Sequence, residues 1–332
     1  MFIEDGEKLL ESCILPESHV DITENPLDTI SFKEFKECLQ QVCPNLFDLI
    51  SAHEGELLTN ELETLKFRTL LAEFLFEQCG ECNFFRTEEI NLRKNIGNLE
   101  AKIAKMVKTD SDLLRDLIRV YKEKLTGIRW KRNLGAIYGF LRFCDILHES
   151  SKEILPELDF GMFILSIATQ LLETTDPSFK YCGLKLFKNL MKISSHEQLQ
   201  SRNIFEVIYS QCKDNIDKVT TAEGTELLWI CIGCTIGKCD IIEEKQYDWN
   251  IIDDSLEKLI YKLKMESNPA IKKILRRALV DILVKEHSTG NNMRCYRWVK
   301  SLLDLIVFQL LSVTDVPEET KETIQVTPTL CK

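Results

Sequence analysis

Glycine and proline are both scarce in this chain, at 13 and 8 of 332 residues. β-Sandwiches and barrels need turn residues at every corner, so the shortage argues for helices joined by short loops. Long apolar runs are missing too. A membrane-spanning helix needs roughly 18 consecutive apolar residues. The longest candidates, such as Phe160 to Leu172 (FGMFILSIATQLL), are shorter and carry Ser, Thr and Gln. The N-terminus, MFIEDGEKLLE, is acidic and has no basic segment ahead of an apolar core, so no secretory signal is visible. Net positive charge is absent as well. A balance of −11 disfavours nucleic-acid binding, because a phosphate backbone calls for a basic footprint. It also disfavours docking on anionic membranes.

Catalytic signatures are equally lacking. There is no G-x-G-x-x-G, G-x-x-x-x-G-K-[ST], G-x-S-x-G or H-E-x-x-H. The five histidines (His19, His53, His148, His196, His287) are scattered, and no paired carboxylates stand out from the solvated helix faces. The expectation is a protein with no catalytic residues, no cofactor and no metal, whose role is binding.

What is present is the composition of a folded soluble chain, 44% apolar and 29% charged. Thirteen cysteines is a high count. Without secretion they are most simply reduced thiols, serving as small buried hydrophobes.

Two C-x-x-C sequences test that reading. Cys79-Gly80-Glu81-Cys82 has thioredoxin-like spacing, and such chemistry needs the first cysteine at a helix N-terminus. Here the pair falls at the end of an expected helix, Leu57 to Gln78, with Gly80 placed as a C-cap glycine. The dipole there raises a thiol pKa. The second pair, Cys231 and Cys234, lies in ELLWICIGCTIGKCD with Cys239 just beyond. A structural zinc site joins two such pairs about 15 to 20 residues apart, whereas 148 residues lie between these. The flanking Leu227, Leu228, Trp229, Ile230, Ile232 and Ile236 make this the most apolar helix in the chain. Cys231 and Cys234 are therefore expected to pack inside it, the helix to end near Gly237, and Cys239 to lie in the following loop.

Residues 1–55 form a poorly defined N-terminal segment, broken by Pro16, Pro26 and Pro44, in which only Phe32 to Val42 reads as helix. Residues 56–150 form an N-terminal helical region. It includes a charged, thinly apolar helix from Glu88 to Lys108 and a helix from Ser111 to Leu125 capped by Asp110. Arg129-Trp130-Lys131-Arg132 invites a nucleic-acid stacking reading, but with this net charge a Trp anchoring a helix start is the better one.

Residues 151–332 are regular. Asp176-Pro177 opens one helix with an N-cap acid and a first-turn proline, and Asn268-Pro269 opens another by the same device. The two prolines are 92 residues apart, and a third helix start is expected midway, at Thr220 or Thr221. Val316-Pro317 would open a fourth. Each such helix follows another: Glu157 to Thr174, Arg202 to Lys213, Ile251 to Glu266 and Met293 to Val313. Helix pairs at this spacing are those of HEAT or armadillo repeats, which bury their apolar faces by stacking. The expected fold is an all-α solenoid of HEAT/armadillo-like repeats, the last one incomplete. A solenoid end wants a capping helix, so a truncated or alternative form, or a cap supplied by a partner, is expected.

Lys185, Lys188 and Lys192 share one stripe of the Pro177 helix, and Lys272, Lys273, Arg276 and Arg277 cluster on the Pro269 helix. Such stripes are usually solvated faces; the alternative is a ridge for an acidic partner. Lys185, Lys188, Arg276 and Arg277 are the candidate partner-binding residues.

Three stretches resemble one family. LTGIRWKRNLGA, from Leu125 to Ala136, KYCGLKLFKNLM, from Lys180 to Met191, and RWVKSLLDLIVFQLLSVTDVPEET, from Arg297 to Thr320, are similar in order and spacing to the Tel2-interacting protein two family. The resemblance covers residues 110–325. It implies a subunit of the Triple-T complex, partnered by Tel2 and Tel2-interacting protein one. That assembly acts with Hsp90 and R2TP in maturing phosphatidylinositol-3-kinase-related kinases, in cytoplasm and nucleus. Alternatives are a scaffold of another assembly, such as a transport receptor or phosphatase scaffold, or a thiol- or zinc-dependent enzyme.

Overall fold

The chain is described by a computed structural model covering residues 2–24, 30–59, 61–82, 84–147, 159–238, 250–288 and 292–312. Among the described residues fourteen α-helices form and no strand does. Two compact units divide the chain at Ser195/His196, away from the composition changes near residues 55 and 150.

The first unit holds α1 (Phe2–Cys13), α2 (Lys33–Leu57), α3 (Leu65–Cys79), α4 (Ile90–Thr109), α5 (Ser111–Leu125), α6 (Leu134–Ile146), α7 (Phe160–Glu173) and α8 (Pro177–Ile193). Helix α3 is its hub and packs against α1, α4, α5 and α6. Its sequence, LKFRTLLAEFLFEQC, is buried almost all round, polar positions included. An aromatic cluster joins it to its neighbours. Phe76 lies 6.0 Å from Phe143, which stacks on Tyr121 of α5 at 5.5 Å and meets Phe160 of α7 at 6.0 Å. Such ring pairs add to the area they bury. Trp130 is buried edge-on against Phe179 of α8 at 6.3 Å, in the short 3-10 turn Arg129–Arg132 just before α6. It is the anchor the sequence indicated.

The second unit holds α9 (His196–Ser201), α10 (Ile204–Asp214), α11 (Ala222–Lys238), α12 (Ile251–Met265), α13 (Pro269–Ser288) and α14 (Asn292–Ser312). Helix α11 packs on α10 and α13, and α12 on α13 and α14. Asp253 is fully buried and ties the unit together. It closes a capping box with Asn250 and accepts hydrogen bonds from Arg297 and from the Trp298 indole, both at 2.8 Å. An acid at a helix N-terminus meets the dipole favourably.

Helix starts follow the cap chemistry. Asp110 accepts from the Asp112 and Leu113 amides, and Asp176 from Ser178 ahead of α8. Asn268 accepts from Ala270 ahead of α13. The midway start falls at Thr221, whose hydroxyl accepts from the Gly224 amide at 3.2 Å. The start expected at Val316-Pro317 lies outside the described residues.

Three elements differ from the sequence reading. The N-terminal segment contains α1 and α2, and α2 runs straight through Pro44. That proline is exposed, while Leu39, Cys43, Leu46, Phe47 and Ile50 continue one buried stripe past it. The backbone departs from helical geometry at His53 instead. The expected Leu57 to Gln78 helix is interrupted: α2 ends at Leu57, and a 3-10 turn at Leu62–Thr64 precedes α3. Helix α4 buries Leu92, Ile96, Leu99, Ile103 and Val107, so its charged composition conceals a full packing stripe.

Candidate partner-binding surface

Cys79 and Cys82 both have their pKa pushed up to about 11, above all by burial. Gly80 follows α3 as its cap residue, but with a negative φ of −58°. Its lack of a side chain serves packing: a Cβ there would stand 3.1 Å from the Tyr138 carbonyl oxygen. In α11, Cys231 is buried beside Cys212, whose pKa is raised first by the hydrogen bond with that thiol and then by burial. Cys234 is exposed, which corrects the expectation that both cysteines are packing residues. Helix α11 ends at Lys238, as expected, and Cys239 lies outside the described residues. Among the described residues no cluster of His, Cys, Asp and Glu could hold a metal ion. No helix among them is long and apolar enough to cross a membrane. Brief alkylation of the native protein at neutral pH should label Cys234 and leave Cys79, Cys82 and Cys231 unmodified, as read by peptide mass spectrometry. Only a thiolate reacts, and only an accessible one is reached.

The four basic candidates fall in different settings. Lys185 of α8 is only 14% exposed and bridges Glu81 at 2.7 Å and Asp145 at 2.8 Å. Its charge is matched within the first unit. Lys188, one turn on, is half-buried. In the second unit Arg276 is buried, while Arg277 is exposed and lies 3.3 Å from Glu226.

That last ion pair marks the end of a groove between α11 and α13, about 490 Å³ in volume. Trp229, Ile230 and Ile236 line it from α11, and Ile274, Ala278 and Ile282 from α13. Glu226, Arg277, Asp281 and Lys285 stand at its edges. Helix α11 is therefore apolar on two sides for different reasons. One side is core; the other carries Ile230, 37% exposed, and the exposed Cys234. Gly233 sits between them, and a Cβ there would meet nothing within 4 Å. Only Arg277 among the four basic candidates belongs to this groove.

A second feature, invisible to motif reading, lies inside the first unit. Thr69, Glu73 and Glu77 form a polar stripe along one face of α3, and all are buried. Thr69 donates to Asp116 at 2.8 Å, Glu73 pairs with Lys124, and Glu77 accepts from the Leu15 amide at 3.0 Å. Gly135 and Gly139 of α6 leave the space: a Cβ at Gly135 would fall 2.7 Å from the Glu77 carboxyl. Burial, reinforced by the neighbouring Glu73, pushes the Glu77 pKa up to about 8. The available signal was two acids one turn apart, Glu73 and Glu77, in a segment otherwise rich in Phe and Leu.

No family model, no curated protein and no solved structure matches this chain.

Proposed function

We propose that the chain is a non-catalytic scaffold built from HEAT-like helical repeats, a solenoid that binds other helical subunits through its surfaces. The observation that carries this reading is the recurrence of one device. Helices α8, α11 and α13 begin at Pro177, Ala222 and Pro269, 45 and 47 residues apart, each behind a capping side chain and each preceded by a partner helix. Stacked pairs of this length bury a continuous core and leave extended surfaces for partners.

Combined with the resemblance of residues 110–325, this favours a Triple-T subunit working beside Tel2 and Tel2-interacting protein one. Its task would be support of Hsp90- and R2TP-dependent maturation of phosphatidylinositol-3-kinase-related kinases. Affinity purification of the full chain from cells is expected to recover Tel2, its other interactor and the large kinases. Recovery of Ran or a phosphatase catalytic subunit in their place would remove this assignment, and stoichiometric zinc in the purified protein would remove the non-catalytic one.

A further inference from the structure

Cys13, at the end of α1, and Cys43, in α2, are both fully buried, and their sulfurs lie 4.0 Å apart. That is contact distance, about 2 Å longer than a disulfide bond. A third thiol stands at the rim of the same contact. Cys38, earlier on α2, is only half-buried, and its Sγ donates to the carbonyl oxygen of Ser12, the residue beside Cys13. The buried pair is chemically lopsided. The hydrogen bond with Cys43 outweighs burial and holds the Cys13 thiol below its ordinary value, while that same bond and burial push Cys43 up. Cys79, Cys82, Cys144, Cys182 and Cys212 are raised as well. A lowered thiol beside a second thiol is the arrangement that thiol–disulfide exchange uses.

A bond at this point would act on α1. That helix has 12 residues, too few to persist unpacked. It is held by packing on α2 and α3, and by an ion pair of Glu7 with the exposed Lys66, of a kind that contributes little. Just beyond α1, the Leu15, Ser18 and Ile22 amides donate to Glu77, to the Arg132 carbonyl and to the Lys131 carbonyl. Cys13 stands where α1 ends and this strap begins, so a bond to Cys43 would fix both.

We propose that Cys13 and Cys43 form a reversible disulfide that locks α1 onto α2, with Cys38 as the thiol through which a low-molecular-weight disulfide, RSSR, oxidises the buried pair. The Cys38 thiolate attacks one sulfur of RSSR, giving Cys38–S–S–R and a first RS−. The Cys13 thiolate attacks the Cys38 sulfur and expels a second RS−. Cys43, once deprotonated, attacks the Cys13 sulfur and expels Cys38. The protons shed by Cys38, Cys13 and Cys43 go to the first RS−, to the second and back to Cys38. Two protein thiols have then lost two electrons and two protons, and RSSR has become two RSH. Excess thiol runs the sequence backwards. The inference concerns the first unit alone and does not depend on the scaffold reading.

The test incubates the full chain at neutral pH with glutathione disulfide, quenches it with acid and digests it without reduction. Peptide mass spectrometry should find Cys13 joined to Cys43 as the dominant link, and excess reduced glutathione should remove it. Hydrogen exchange should show the α1 amides slowed about tenfold or more in the linked chain relative to the reduced one. Both results are read on the unaltered chain and need no variant to fold. Cys38→Ser should slow formation of the link about tenfold or more and leave its final extent unchanged. Absence of the link would overturn the proposal, as would a dominant link that engages Cys38 or joins two chains. So would α1 exchange that the link does not slow. Formation at an unchanged rate in Cys38→Ser would also overturn it, since the buried pair would then be reached without the rim thiol.

Discussion

Replacing Asp110 by alanine should lower the unfolding free energy of the first unit by about 3–5 kcal/mol, the loss found when one partner of a buried ion pair is removed. Arg68 is 1% exposed, and its guanidinium donates to Asp110 and, at 3.0 Å, to the Glu61 carbonyl. Asp110 also caps α5 through the Asp112 and Leu113 amides. Without the carboxylate, Arg68 is left charged in the core and the helix end is left open. Asp110→Asn separates the two roles, since asparagine caps as well as aspartate but brings no charge. It should fall between the alanine variant and the parent. Equilibrium urea unfolding followed by circular dichroism checks both. A cost of only about 1 kcal/mol for Asp110→Ala, the ordinary worth of a cap, would mean that the ion pair contributes little. The pH sign is equally definite. Burial pushes the Asp110 pKa up, but the Leu113 amide and the Arg68 guanidinium outweigh it and hold it below the ordinary 3.8. Its stabilisation is therefore present above that value and is lost as the pH falls through the lowered one.

The elements legible in the sequence are those whose cause is local. A cap needs one side chain and the two or three amides that follow it, so Asp110, Asp176, Thr221 and Asn268 could be placed by inspection. Helix α1 could not. FIEDGEKLLESC carries Gly6 in its interior, and that glycine makes sense only beside Phe67 of α3, where a Cβ would meet the ring at 2.7 Å. Pro44 reads as a breaker because proline removes a hydrogen bond, yet its place on the exposed side leaves the buried stripe of α2 unbroken. ELLWICIGCTIGKCD shows the limit from the other side. Its apolar residues announce a packed helix without saying what packs against each face. Cys231 meets the core, and Cys234 meets the groove. Ion pairs such as Lys185 with Glu81, 104 residues apart, have no signal in a single sequence at all.

Glu77 should make the first unit progressively less stable between about pH 4.5 and 8, by up to about 1.4 kcal/mol per pH unit for one linked proton. In the unfolded chain this carboxyl ionises near its ordinary 4.5, whereas in the fold it stays protonated to about 8. The folded state thus binds one more proton across that window. Stability contributed by the protonated form is complete below 4.5 and is lost as the pH rises through 8. The groups around it are accounted for. Burial comes first, then Glu73 one turn away on α3; Lys124 of α5 and the Leu15 amide oppose them. Tyr121 of α5 is itself neutral and buried, and α6 presents only the two glycines that make room. Glu77→Gln keeps the size of the side chain and an oxygen for the Leu15 amide while removing the titration. It should be more stable than the parent at pH 8 and should lack this part of the parent's pH slope. The readout is the difference between the two unfolding profiles from pH 4.5 to 8, so groups common to both cancel. Parallel profiles would show that Glu77 is ionised in the folded protein, with Lys124 serving both acids of the stripe. Divergence toward alkaline pH would identify Glu77 as a carboxylic acid kept neutral at physiological pH, one that α6 admits only because glycine stands at both 135 and 139.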